Sequence, residues 1–227
     1  MFTSLIDLFY PKVCAGCNGL LLSAESTICT RCRHDIPLTN HHLNFQNDAY
    51  IKFYGRIPVE FVATMMYFHS HGIVQEMIHN LKYRGQLQVG EIIGLWYGSE
   101  LLKLPISQTF DQIIPVPLHQ RRFRERGYNQ VIPFATALSQ KLKVPLNDKL
   151  LVRNVYSKTQ TKKNLLGRSD INKSIFDVQF SNNDHEKHFV LIDDVLTTGS
   201  TLEACGRALL KIPGAKISIV CMAMSHS

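Results

Sequence analysis

The stretch His188–Lys211 reads HFVLIDDVLTTGSTLEACGRALLK and places four apolar residues, Phe189–Ile192, directly before two adjacent carboxylates. The apolar run predicts a buried strand, and the segment STLEACGRALLK predicts the helix that follows it. In open α/β sheets, ligands bind beyond the carboxyl ends of the strands. We therefore expect Asp193 and Asp194 to lie at a ligand site.

The segment between this strand and its helix is typical of a phosphate-binding turn. Backbone N–H groups at a helix start attract anions, and glycine allows the backbone to approach closely. The residues expected to bind phosphate are Thr197, Thr198, Gly199, Ser200 and Thr201. Two neighbouring carboxylates repel each other, so they favour binding of hydroxyls, a divalent cation, or both. A sugar phosphate with a vicinal diol meets both demands. In the alternative interpretation, Ser200 or Thr201 is a plain N-cap and the aspartates are solvated loop residues.

Strand and helix patterns alternate along the rest of the chain. Strands are predicted at Val59–Phe68, in FDQIIPVPLH and in AKISIVCMAM; helices are predicted in GIVQEMIHNLKYRG, from about 87 to 103, and in GYNQVIPFATALSQKLK. This alternation predicts an α/β fold with a parallel sheet flanked by helices. The polar, aperiodic segment from Arg33 to about Arg56 predicts a linker. We expect two units, residues 1–40 and residues 50–227.

Composition excludes several classes of protein. The 227 residues are 45% hydrophobic and 19% charged, which is typical of a globular chain and argues against disorder. The 25 Lys and Arg against 18 Asp and Glu give a net charge of +7, which favours anionic partners such as phosphates, nucleotides or nucleic acid. No apolar run is long enough to span a membrane, and MFTSLIDLFYPK lacks the features of a signal peptide, so we expect a cytoplasmic protein without stable membrane insertion. Leu5, Leu8 and Phe9 are expected on one face of a short helix.

Two CxxC pairs near the N-terminus indicate a metal site. Cys14, Cys17, Cys29 and Cys32 could hold one ion tetrahedrally, and zinc is the metal that best suits four thiolates. With no fifth ligand evident, the predicted site is a closed, structural zinc ribbon. A redox role for one CxxC is the alternative. Nearby histidines could replace a cysteine, although solvated loop positions are favoured for His34, His41 and His42. Cys205 and Cys221 stand alone in apolar patterns and are predicted to be small core residues.

Several of these motifs resemble one family. VLIDDVLTTGST resembles the phosphoribosyl-diphosphate (PRPP) binding signature of type I phosphoribosyltransferases. IIPVPLHQRRFRERGYNQ, Ile113–Gln130, resembles the pyrophosphate-loop region of the ComF/GntX branch, and LKYRG, Leu81–Gly85, and the double cysteine knuckle belong to the same branch. The resemblance implies a type I phosphoribosyltransferase fold with a small N-terminal zinc ribbon, in a bacterial protein associated with competence, meaning the uptake or use of external DNA.

The same resemblance implies roles for individual residues. Asp193 and Asp194 would be the catalytic pair that holds the ribose hydroxyls of PRPP, which binds with Mg²⁺. The pyrophosphate loop would contain Pro117, Leu118, His119, Arg122, Arg126 and Tyr128. A flexible loop that closes over PRPP would contribute Arg153, Gln160 and Arg168. Independently of the family, the arginine cluster between His119 and Gly127 suits a pyrophosphate leaving group; a solvated charged face is the alternative.

The acceptor for the phosphoribosyl group is not evident in the sequence. Purine-salvage relatives carry an acid/base Asp where this chain has Thr197, and Leu118 replaces the Asp that follows PVP in the amidophosphoribosyl branch. Two classes of function therefore stay open. One is a phosphoribosyltransferase with an unidentified acceptor. The other is a non-catalytic module that senses PRPP or binds single-stranded DNA, working with helicase components of the DNA-uptake machinery.

Overall fold

The computed structural model describes residues 11–154 and 175–225, and all structural statements below concern these residues. Their centre is a four-stranded parallel sheet in the order β1-β6-β5-β2. The strands are β1 (Phe61–Phe68), β2 (Gln112–Pro115), β5 (His188–Leu196) and β6 (Lys216–Ser225). A separate antiparallel pair consists of β3 (Leu151–Arg153) and β4 (Phe176–Val178). The prediction of a parallel α/β sheet is confirmed.

The predicted strand at Phe189–Ile192 continues for four more residues. Asp193 pairs with Cys221 and Val195 with Ala223, so both aspartates are strand residues of β5. The apolar runs of β5 and β6 are buried on both faces, as expected for inner strands of a parallel sheet. Both runs could therefore be recognised in the sequence, but the carboxyl end of β5 could not, because the polar residues there still belong to the strand.

Helices cover both faces of the sheet. They are α1 (Thr30–Asp35), α2 (Asp48–Ile51), α3 (Ile73–Tyr83), α4 (Gln88–Leu101), α5 (Gln120–Arg126), α6 (Ile132–Leu142) and α7 (Ser200–Leu209). Short 3-10 turns occupy His41–Leu43, Pro105–Thr109 and Asn182–Asp184. Residues of α3, α4 and α6 share one apolar core, and α7 packs in the second core with β3 and β4. Pro133 lies in the first turn of α6, where its missing N–H costs no helical hydrogen bond. Among the described residues, no helix is long and apolar enough to cross a membrane.

The segment expected to be a linker is folded. The buried Asn47 side chain donates hydrogen bonds to the carbonyls of His41, Asn44 and Val62, at 3.1, 2.7 and 2.8 Å. The Phe53 ring is fully buried in the second core. The expectation of a linker from Arg33 to Arg56 was wrong, because side-chain to backbone hydrogen bonds fix this segment. Such hydrogen bonds do not require apolar residues at a helix or strand period, so the sequence shows no periodic pattern.

The cysteine-bearing segment packs directly on the α/β body. Cys14, Ala15 and Cys32 belong to the same buried core as residues of β1 and α3. The buried Asn80 side chain of α3 donates a hydrogen bond to the Ala15 carbonyl at 2.8 Å. The division into residues 1–40 and 50–227 therefore remains a proposal about chain organisation, with a shared core across the boundary. Leu5, Leu8 and Phe9 lie outside the described residues.

Candidate functional site

The two adjacent aspartates lie in different environments. Asp193 is half-buried, and its Oδ1 accepts a hydrogen bond from the Asp194 backbone N–H at 2.8 Å. Asp194 is buried, and its Oδ2 accepts from Gln130 Nε2 at 2.7 Å and lies 3.0 Å from Lys82 Nζ. Burial, reinforced by the charge of Asp194, raises the pKa of Asp193 to about 7. The alternative of two solvated loop carboxylates does not fit this arrangement.

The turn after β5 leaves the start of α7 without a side-chain cap. Gly199 is the N-cap, with φ +77°, and it forms no side-chain cap hydrogen bond. Thr197, Thr198, Ser200 and Thr201 are exposed around it, and the Thr198 and Ser200 hydroxyl oxygens lie 3.1 Å apart. Neither Ser200 nor Thr201 is the N-cap, so that alternative is wrong. The first-turn N–H groups of α7 and several hydroxyls are thus presented together at the carboxyl edge of the sheet, as a phosphate requires.

Two residues from the supposed linker support this turn. Arg56 donates one hydrogen bond from Nη1 to the Thr198 carbonyl at 2.8 Å and another from Nε to Glu203 in the first turn of α7, also at 2.8 Å. A Cβ atom on Gly199 would lie 3.1 Å from the Phe53 ring. Sequence reasoning missed both contacts because Phe53 and Arg56 are far from Gly199 in the chain and follow no periodic pattern.

The predicted pyrophosphate loop follows β2, beside β5. Pro117 and Leu118 are half-buried, and exposed His119 caps α5 by accepting from the Arg121 N–H at 3.1 Å. Arg122 is exposed on the short helix. Arg126 is half-buried, and its Nη1 donates to Gln130 Oε1 at 2.7 Å.

Residues of the LKYRG segment contact the pyrophosphate loop and the aspartate pair. The Arg126 guanidinium lies 4.9 Å from the centre of the Tyr83 ring, a cation–π distance. The Tyr128 hydroxyl donates to the Leu81 carbonyl. Lys82, Asp194, Gln130 and Arg126 therefore form a continuous series of polar contacts from α3 through β5 to the pyrophosphate loop. The sequence motif marked this segment, but sequence reasoning gave Lys82 and Gln130 no role.

The residues predicted in the flexible loop are only partly described. Arg153 lies in β3 with its guanidinium 5.0 Å from the centre of the Phe176 ring. Burial lowers the pKa of Arg153, and the positive charge of Arg122 adds to the effect. Gln160 and Arg168 lie outside the described residues.

The four N-terminal cysteines converge as the spacing predicts. Their sulfur atoms all lie within 4.8 Å of one another, and the Cys17 and Cys29 sulfurs are 3.8 Å apart. Tetrahedral zinc with Zn–S bonds of about 2.3 Å requires sulfurs about 3.8 Å apart, so the residues present fit the ion. Burial opposes the Cys14 thiolate, but N–H donors from Cys29 and Gly16 outweigh it and lower the pKa of Cys14 to about 7. A metal-binding thiolate needs that stabilisation.

The nearby histidines do not join this cluster. His41 and His42 are buried, and His41 Nδ1 lies 3.0 Å from the Thr64 hydroxyl. The favoured expectation of solvated loop positions was therefore wrong for these two residues, whereas His34 is exposed. Cys205 and Cys221 are fully buried in the second core, as predicted.

Comparison with known proteins agrees with these features. Residues 130–227 match the family model described as "Phosphoribosyl transferase domain". Competence protein F of Haemophilus influenzae is 28% identical over 93% of this chain and 96% of its own length. ComFC of Bacillus subtilis is 26% identical over 88% of this chain and 78% of its length. The DNA utilization protein YhgH of Escherichia coli K12 is 25% identical over 92% and 89%.

Among solved structures, a purine phosphoribosyltransferase from Pyrococcus horikoshii aligns with a TM-score of 0.38 at 23% identity, covering 60% of this chain and 73% of that one. The assignment of the fold rests instead on the family model and on the parallel sheet flanked by helices. The chain thus has a type I phosphoribosyltransferase fold with an N-terminal four-cysteine cluster, and over most of its length it is similar to competence protein F, ComFC and YhgH.

Proposed function

We propose that the protein binds PRPP with Mg²⁺ and transfers its phosphoribosyl group to a nitrogenous acceptor, in the use of external DNA. The observation that carries the proposal is the position of Asp193 and Asp194 in the central strand β5, directly before the uncapped, left-handed turn at Gly199. Carboxylates for a diol and the first-turn N–H groups of α7 for a phosphate then lie a few residues apart at the carboxyl edge of the sheet. The role in DNA use rests on the names of the relatives.

The aspartates would hold the ribose. With its pKa raised to about 7, Asp193 is partly protonated at neutral pH, so its carboxyl group can donate as well as accept a hydrogen bond. Asp194 is fixed by Lys82 and Gln130 and keeps Oδ1 for a ligand hydroxyl or for Mg²⁺. The 5′-phosphate would lie on the turn from Thr197 to Thr201.

The arginines would stabilise the leaving group. When the bond between C1 of the ribose and pyrophosphate breaks, positive charge develops on the sugar and negative charge on the pyrophosphate. Arg122 and Arg126 lie next to β5 on the β2 side, where guanidinium groups can bind phosphate oxygens in pairs. Mg²⁺, when bound, would neutralise part of the pyrophosphate charge. The four-cysteine cluster would hold zinc in a structural role.

The proposal is tested by thermal unfolding with PRPP and Mg²⁺. A ligand at a hundred times its Kd stabilises the native state by about 2.7 kcal/mol. For a chain of this length that is a rise in Tm of roughly 5 to 10 °C. Ribose 5-phosphate should give part of the shift, because it keeps the hydroxyls and the phosphate.

Asp193→Asn should lose most of the shift, and Asp177→Asn, at an exposed ion pair with Lys211, should keep it. A wild-type protein whose Tm does not respond to PRPP would contradict the proposal. Pyrophosphate release from PRPP is then measured with a panel of bases, amines and oligonucleotides as acceptors. If PRPP binds but no acceptor causes release, the non-catalytic, PRPP-sensing alternative is favoured.

A further inference from the structure

The four cysteines of the cluster divide into a pair near the surface and a buried pair. Cys17 is exposed and Cys29 is half-buried, whereas Cys14 and Cys32 are buried. The Cys17 and Cys29 sulfurs lie 3.8 Å apart, although the two residues are twelve positions apart in the chain. A reagent dissolved in water therefore reaches Cys17 first and finds the Cys29 sulfur next to it.

The buried pair is held in place by backbone donors and by packing. The Cys14 sulfur accepts hydrogen bonds from the N–H groups of Gly16 at 3.3 Å and of Cys29 at 3.2 Å. Cys32 is 2% exposed and packs in the core that also contains residues of α3. Attack on Cys14 or Cys32 would require this core to open, whereas attack on Cys17 would not.

We propose that Cys17 and Cys29 form an oxidation site, at which a hydroperoxide converts two of the four zinc ligands into a disulfide. The thiolate is the form of cysteine that binds zinc and also the form that attacks peroxides, so a metal-binding thiolate at the surface is open to this reaction. A disulfide requires the two sulfurs to approach to about 2.05 Å, which rotation of the exposed Cys17 side chain can supply. The two thiolates that remain cannot fill a tetrahedral site, so the metal is lost.

The reaction takes two steps and two electrons. The Cys17 thiolate attacks the peroxide, so that a bond from sulfur to oxygen forms, the O–O bond breaks, and hydroxide or an alkoxide leaves. The Cys29 thiolate then attacks the Cys17 sulfur, so that the S–S bond forms and the sulfenic oxygen leaves as hydroxide. Both leaving oxygens take protons from water. The two thiolates together lose two electrons, and the peroxide gains them.

The cysteine-bearing segment is coupled to α3. The fully buried Asn80 side chain of α3 donates to the Ala15 carbonyl at 2.8 Å. Gly16 packs closely on the start of the same helix, where a Cβ atom would lie 2.8 Å from the Ile73 side chain. By contrast, α7 packs in the second core with β3 and β4. Loss of the metal should therefore loosen α3 more than α7.

The test is treatment of the full-length, zinc-loaded protein with hydrogen peroxide, followed by mass spectrometry of its peptides. The first disulfide should join Cys17 to Cys29, and a chromogenic chelator should detect about one zinc ion released per disulfide. The chelator without peroxide should remove far less zinc in the same time. Dithiothreitol should restore the thiols, after which added zinc should bind again. A first disulfide within one CxxC pair, or zinc loss that does not need peroxide, would overturn the proposal.

Cys17→His provides a matched variant. Histidine replaces the exposed thiolate by a nitrogen ligand that zinc accepts, so the metal should stay bound. Release by peroxide should slow roughly tenfold or more, because the reacting position no longer carries a thiolate. Cys205→Ala, which removes a buried thiol outside the cluster, should release zinc as fast as the wild type. Equal release from Cys17→His and the wild type would show that Cys17 is not the reacting residue; if Cys17→His binds no zinc, the peptide map of the wild type decides alone.

Amide hydrogen exchange tests the coupling to α3. In the oxidised, zinc-free protein, exchange within Ile73–Tyr83 should be faster than in the zinc-loaded protein, whereas exchange within Ser200–Leu209 should change little. An equal increase in both helices would mean that the whole protein is destabilised, and it would contradict the route through the Asn80 hydrogen bond. No change in either helix would contradict the coupling altogether.

Discussion

Lys82 of α3 and Asp194 of β5 form an ion pair, with 3.0 Å between Nζ and Oδ2 and both side chains largely shielded from water. The pair joins the LKYRG segment to the aspartate pair, which are more than a hundred residues apart in the sequence. Because Gln130 donates to the same carboxylate oxygen at 2.7 Å, Asp194 is held at once from α3 and from the turn before α6. The pair therefore fixes the distance between α3 and the carboxyl end of β5.

Replacing Lys82 by Met should destabilise the protein. Removing one partner of a buried ion pair costs about 3–5 kcal/mol, and the partial exposure of Lys82 and the remaining Gln130 donor should reduce this to roughly 2 kcal/mol. Urea unfolding measures the loss. Lys103→Met, at an exposed pair with Glu100, should cost less than about 1 kcal/mol. Adding Asp194→Asn to Lys82→Met should recover part of the stability, and a double variant less stable than both single variants would contradict this account.

The Asp193 carboxyl group should make stability depend on pH. Its folded pKa of about 7 lies above its ordinary value of 3.8, so the folded state binds more protons than the unfolded state between these pH values. The free energy of unfolding should therefore fall as pH rises from about 4 to 7 and change little from this group above pH 7. Asp193→Asn keeps an oxygen for the Asp194 N–H and removes the charge. The Tm of the variant minus that of the wild type should increase from pH 5 to pH 8; a difference that decreases would show that the pKa is not raised.

Gly199→Ala should disturb the phosphate turn more than backbone strain alone predicts. Gly199 and Gly85 both have φ near +70°, so alanine at either position should cost about 1–2 kcal/mol. Only at Gly199 would the new Cβ meet the Phe53 ring, at 3.1 Å, whereas at Gly85 no atom lies within 4 Å. Overpacking at Gly199 should add about 1 kcal/mol or more. Urea unfolding measures the loss of stability in each variant. Equal losses would mean that the Phe53 ring moves aside without cost.

The cysteine cluster should bind about one zinc ion per chain, because four thiolates fill one tetrahedral site. Metal analysis of purified protein tests this. Cys29→Ser should lose the metal and also lower the Tm of the α/β body, since Cys14 and Cys32 share its core. Cys205→Ala, at a buried thiol away from the cluster, should keep the metal. Loss of zinc in Cys29→Ser with no change in the unfolding of the body would contradict the role of the shared core.

The residues that could be predicted from sequence lie in strong local patterns. The apolar runs of β5 and β6, the helical spacing of α3 and the CxxC pairs each carry their own signal, so the parallel sheet and the convergence of the cysteines were predictable. The contact partners that come from distant parts of the chain could not be predicted. Nothing near Asp194 in sequence indicates Lys82 or Gln130, and Arg56 reaches Thr198 from a polar segment whose order depends on hydrogen bonds such as those of Asn47.

The site residues show the same division. The Thr and Ser cluster after β5 predicted a phosphate turn, but the left-handed Gly199 as N-cap depends on a close approach to Phe53 that only the folded chain reveals. The burial of Asp194 could not be predicted either, because two adjacent carboxylates at a strand end are more often solvated. Its burial is compensated by the Lys82 cation from α3 and by the hydrogen bond from Gln130.

The position of β6 has a consequence for biosynthesis. Among the described strands, β1 forms its ladder with β6, although about 150 residues separate them in the chain, and β6 in turn pairs with β5. A ribosome must therefore translate through residue 225, and that segment must clear the exit tunnel, before β1 can join the sheet. Until then β1 has no partner from β6 along its edge, so the nascent chain should bind chaperones until β6 has emerged.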